Sequence, residues 1–125
     1  MSKQIQFTKT GSPDVLQIVD VAVPAPKAHE VQIQIHAIGL NRAEMMYREG
    51  AYVIDPVFPA TLGYEGAGVV TAIGDGVSEF AIGDKVSVIP SFMFTEYGTY
   101  GELVNMPVHA VVKHPENLTM EQAAA

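Results

Sequence analysis

The chain has 125 residues, 48% of them hydrophobic, which suits one domain with a buried core and excludes a disordered or fibrous chain. Seven basic against fourteen acidic residues give a formal charge of -7, which argues against nucleic acid as a partner, since phosphate binding needs clustered Lys and Arg. With no cysteine, disulfides, thiolate zinc sites and cysteine nucleophiles are excluded.

Residues 1–7 end in the alternation Gln4-Ile5-Gln6-Phe7, a strand pattern and not a signal peptide. No apolar run approaches the ~20 residues of a membrane helix, so a cytoplasmic protein with no membrane partner is expected. Residues 15–23 form a longer β-rich run with Ile18, Val19 and Val21, and Pro24-Ala25-Pro26 ends it by removing ladder donors. Residues 31–37 alternate: Val31, Ile33 and Ile35 are expected inward, Gln32, Gln34 and His36 outward.

One helix is expected over residues 43–48, with Asn41 as its cap, Glu44 reaching back to the cap N–H, and Gly50 as left-handed C-cap. Strands are then expected over 68–73, 85–89, 103–106 and 110–113. Many short strands separated by Gly and Pro turns indicate a barrel or sandwich. Thr119 and Gln122 have the spacing of a second capping box, running into Ala123-Ala124-Ala125. Two turns fall short of the ~12–15 residues that even a marginal isolated helix needs, so a chain cut short of its natural length is expected.

Gly63, Gly66 and Gly68 do not complete Gly-x-Gly-x-x-Gly, because Thr71 holds the third place, so no dinucleotide fingerprint is present and close backbone approach is expected instead. His29, His36, His109 and His114 are scattered, with no pair in helical i, i+4 spacing, and read as surface residues. Arg42 and Arg48 read as solvated surface.

The run Pro59-Ala60-Thr61-Leu62-Gly63-Tyr64-Glu65-Gly66-Ala67-Gly68-Val69-Val70, followed by Gly83-Asp84-Lys85-Val86, resembles the catalytic domain of medium-chain dehydrogenases/reductases. Ala37-Ile38-Gly39-Leu40-Asn41, Gly50-Ala51-Tyr52 and Glu121-Gln122-Ala123-Ala124-Ala125 continue the likeness in order, and it is to the zinc-free quinone oxidoreductase branch. That resemblance implies a mainly β, GroES-like, partly open barrel with short helices over residues 1–125, and a Rossmann cofactor domain expected after residue 125. It further implies an NADPH-dependent reductase of quinones or enone-type substrates, a homodimeric parent, NADPH bound mainly by the further domain, and a 125-residue piece inactive alone.

In the zinc branch a histidine ligand precedes the glutamate; here Tyr64 stands there, and Asn41 lies in the segment that carries the cysteine ligand, so no zinc is expected. The resemblance implies that Asn41, beyond capping, faces the nicotinamide as a catalytic and cofactor-binding residue. Tyr52 is the implied proton donor, against the plain reading of an aromatic turn residue. Tyr47, Tyr64 and Phe92 are expected around the substrate cleft, although Met46 holds the family's cleft position and one residue turns a helix by ~100°. Glu65 is expected to be structural. Two alternatives stand beside this reading. One is an enoyl thioester reductase, for which residues 88–91 and Gly98-Thr99-Tyr100 speak. The other is a standalone binding module docking through an exposed Ser91-Phe92-Met93-Phe94.

Overall fold

A computed structural model describes residues 1–125 throughout. β1 (Ser2–Phe7) pairs antiparallel with β2 (Gln17–Val21) on one edge and with β4 (Ala60–Thr61) on the other, giving a three-stranded sheet. β3 (Glu30–Gly39), β5 (Glu65–Ile73), β6 (Lys85–Val88), β7 (Leu103–Pro107) and β8 (Val111–Lys113) form a five-stranded sheet in the order β7-β3-β5-β6-β8. An isolated bridge from Gln4 to Gly101 ties the two sheets, and no closed barrel forms. This is the mainly β, partly open architecture expected.

β3 is the spine. Val31 and Ile33 are fully buried while Gln34 and His36 are exposed, the alternation a half-buried strand requires. It pairs with β5 from Val31↔Ile73 to Gly39↔Glu65, with irregularities between Gln32 and Ile33 and between Ile35 and Ala37. Gly68, opposite Ile35, has no room for a Cβ, which would run into the Gln34 carbonyl. The glycine therefore answers a close backbone approach, as expected.

Several boundaries differ from the expected ones. A 3-10 turn at Pro13–Val15 takes the start of the second β-rich run, because Pro13 fixes φ and leaves the strand to begin at Gln17. β5 starts at Glu65, earlier than its apolar run, and Pro107 leads into another 3-10 turn, Val108–Ala110, that delays β8 to Val111. β4, with two residues, carries no periodic signal of its own.

α1 spans Arg42–Glu49, and Gly50 closes it at φ 78, its N–H shared between the Met46 and Tyr47 carbonyls. α2 (Met120–Ala123) has the expected capping box: Gln122 N–H donates to Thr119 Oγ1 at 3.1 Å and Thr119 N–H to Gln122 Oε1 at 3.0 Å. Its Ala123 and Ala124 pack on Ala67, and Ser87 Oγ donates to the Ala123 carbonyl at 2.8 Å.

Three surface assignments are corrected. Phe92 and Phe94 are 8% and 2% exposed, drawn into the core by aromatic neighbours, so the apolar docking surface expected at residues 91–94 does not exist in this chain. Arg48 is buried, and its guanidinium donates to the Gly11 carbonyl. His114 is half-buried, with Nδ1 3.1 Å from Ser87 Oγ.

Candidate functional site

α1 turns Glu44, Tyr47 and Arg48 inward, the i, i+3, i+4 set of one helical face. Tyr47 reaches no solvent. Its ring meets Phe7 edge-on at 5.8 Å, Tyr52 edge-on at 6.4 Å and Phe94 tilted at 4.8 Å, and its hydroxyl has no partner. Tyr47 thus lies in the aromatic interior, while Met46 beside it is half-buried.

Gly63, at φ 108, turns the chain into β5 and delivers Tyr64 onto the same cluster. Tyr64 stacks on Phe94 at 3.8 Å and 17°, and Phe92 meets it edge-on at 5.7 Å. Tyr52, half-buried in the loop after α1, holds its hydroxyl 3.1 Å from that of Tyr64. Burial, then the hydrogen bond and charge of Tyr52, push the Tyr64 phenol well above its ordinary pKa. It stays an O–H at neutral pH.

Asn41 occupies the cap position of α1, but its side chain accepts nothing from the helix. Its Nδ2 donates to Glu65 Oε2 at 3.2 Å, and the backbone carbonyl of Asn41 takes the Glu44 N–H at 3.1 Å. The expected capping box at this helix is therefore absent: Glu65 claims the amide, and Glu44 is turned into the interior. Tyr64 and Glu65 are neighbours that reach to opposite sides, one into the aromatic cluster and one to Asn41.

Glu44, Phe94 and Tyr100 belong to this centre, although the sequence reading assigns them other places: a cap partner, an exposed stretch and a loop likened to enoyl thioester reductases. Both Glu44 oxygens are buried without a hydrogen-bond partner. Burial, above all, pushes its carboxyl above the ordinary range, and the Glu65 charge adds to that. Tyr100 is pushed up in turn, first by burial and then by Glu44. Nothing in the local pattern marks these three, since their places follow from how loops cross the sheet.

No group of three or more His, Cys, Asp or Glu stands close enough to hold a metal ion. The side chains at the point of interest are a phenol, an amide and one carboxylate, a donor set that does not fit zinc, which is bound by thiolate, imidazole and carboxylate in threes and fours.

Residues 27–116 match the alcohol dehydrogenase GroES-like domain family. The chain belongs to that family and, within the medium-chain dehydrogenase/reductase superfamily, stands beside the quinone oxidoreductases. It is 38% identical over 126 residues to the quinone oxidoreductase of Homo sapiens, which covers 100% of this chain and 37% of that protein. The solved quinone oxidoreductase of Pseudomonas syringae pv. tomato superposes with TM-score 0.85 at 41% identity, over 99% of this chain and 37% of that one. The Escherichia coli quinone oxidoreductase complexed with NADPH superposes with TM-score 0.87 at 33% identity, over 98% and 36%. This chain spans 37% of the length of the curated quinone oxidoreductases of human and Salmonella typhimurium that it matches.

Proposed function

We propose that this chain forms one wall of the active site of a zinc-independent, NADPH-dependent oxidoreductase that reduces quinones or other activated C=C and C=O bonds. The observation that carries the reading is the Tyr52–Tyr64 hydroxyl pair, 3.1 Å apart, at the position where the zinc branch keeps a metal ligand. NADPH, held mainly by a further domain, supplies the hydride when bound. Tyr52, the more exposed phenol of the pair, donates its O–H to the substrate oxygen, where negative charge develops. Tyr64, behind it, orients that hydroxyl and keeps a second proton at hand. Phe92 and Phe94 hold Tyr64 in place and keep water from its ring. Asn41 faces the nicotinamide end. A homodimeric, cytoplasmic parent fits this reading, and the isolated 125 residues, which carry no dinucleotide fingerprint, are expected not to turn over.

The test is NADPH oxidation by the full-length gene product with a panel of quinones and enones. Tyr52→Phe is expected to lower kcat by about 100-fold, the low end for a lost general acid, with a smaller change in KM. Metal analysis of the active protein is expected to find no stoichiometric zinc. An unchanged kcat in Tyr52→Phe would remove Tyr52 from the chemistry.

A further inference from the structure

The Asn41–Glu65 contact contains a polarity that narrows what Asn41 can bind. An amide has a donor end and an acceptor end, and a carboxylate only accepts. The 3.2 Å contact with Glu65 Oε2 therefore obliges Asn41 to turn its NH2 toward Glu65 and its Oδ1 away. That orientation follows from the partner's chemistry, whichever way the amide is drawn. The usual employment of such an oxygen, accepting an N–H of the first helical turn, is not taken up here.

Glu65 is itself held. It opens β5 opposite Gly39, and a Cβ on Gly39 would strike both its Oε2 and the Ala124 carbonyl, so the carboxylate sits in a niche only a glycine leaves open. Thr99 Oγ1 donates to the Glu65 backbone carbonyl at 2.9 Å and fixes the strand end.

We propose that Glu65 is a positioning residue: it orients Asn41 so that Oδ1 accepts a hydrogen bond from a donor at the nicotinamide end of the dinucleotide, a ribose hydroxyl or the carboxamide N–H. The inference rests on the proposed function and adds the sign of the contact. A glutamine at position 65 would destroy that sign, because two amides pair in either sense and Asn41 becomes free to present its NH2 to a donor.

The experiment is a fluorescence titration of the full-length gene product with NADPH in the absence of substrate, so that binding is read apart from turnover. Asn41→Ala and Glu65→Gln are each expected to weaken NADPH about tenfold, the value of one well-placed hydrogen bond. The double variant is expected to be no weaker than either single one, because both remove the same contact. Glu65→Ala, which removes the acceptor that fixes the Asn41 amide, gives the same loss should Glu65→Gln not fold. The reduced 3-acetylpyridine analogue lacks the amide N–H. A tenfold loss for the analogue in wild type, absent in the variants, assigns the contact to the carboxamide. Equal binding of analogue and NADPH by each protein, with the variants still weak, assigns it to the ribose. Wild-type affinity in Glu65→Gln beside a weak Asn41→Ala, or fully additive losses in the double variant, would overturn the proposal alone. A wild-type protein that does not bind NADPH would overturn the proposed function with it.

Discussion

Glu44 is a carboxyl group shut in the interior with no cation to answer it: Arg48, on the same helical face, spends its guanidinium on the Gly11 carbonyl. The groups that face it are the Tyr100 phenol and the Glu65 carboxylate, and its charge is felt at the Tyr64 phenol. Its pKa is raised from the ordinary 4.5, first by burial. The folded protein thus holds this proton more tightly than the unfolded chain. The stability linked to it is full below the ordinary glutamate pKa and is lost as pH rises toward the folded value. Glu44→Gln keeps the shape and cannot ionise. Its stability should match wild type most closely near about pH 4 and exceed it increasingly toward neutrality. At neutral pH Glu44→Gln should be the more stable protein, because the amide carries no charge to bury. Urea unfolding across this range measures it. A difference between the two proteins that does not vary with pH would show that Glu44 is not the titrating group.

At the scale of elements, strand and helix identity was legible wherever a period ran long enough. The alternation of Val31, Gln32, Ile33 and Gln34 read correctly as β3, and Thr119 with Gln122 read correctly as the cap of α2. What could not be read depended on partners remote in sequence. Asn41 looks like a cap, yet Glu65, far along the chain, takes its amide. Phe92 and Phe94 sit in a loop without period, and only the Tyr64 ring explains their burial. The Tyr52–Tyr64 pair joins two recognised residues, but their contact is a property of the folded loops. The glycines divide the same way. Gly83 has φ 97 with open space around it, whereas Gly68 needs only the absence of a side chain between β5 and β3. Gly83→Ala should therefore cost only backbone strain, about 1–2 kcal/mol. Gly68→Ala must push apart a backbone ladder and should cost about 3 kcal/mol, the upper range of overpacking. Denaturant midpoints of the two variants test the ranking, and equal losses would mean that the β3–β5 approach relaxes freely.

For the whole molecule, the question is whether two sheets with little pairing between them unfold as one. Phe7 ends β1 in the smaller sheet, is fully buried, and touches Tyr47 and Phe58. Tyr47 meets Phe94, which stacks on Tyr64 at the entry to β5 of the larger sheet. One core cluster of sixteen residues contains Phe7, Tyr47, Phe94 and Tyr64. The sheets are therefore joined by this packing as well as by the hydrogen bonds around the Gln4–Gly101 bridge. The chain has five tyrosines and no tryptophan, and all five tyrosines lie in or against this cluster, so tyrosine emission reports the junction itself. Far-UV circular dichroism and tyrosine emission should then change at one and the same denaturant concentration, as for a single cooperative unit. Phe7→Ala should remove about 3–5 kcal/mol, a large part of the 5–15 kcal/mol typical of a domain, and should move both signals together. If the larger sheet stood by itself, Phe7→Ala would split the transition, with tyrosine emission lost first while most of the strand signal persisted. That outcome would make the smaller sheet an attachment and not a part of the core.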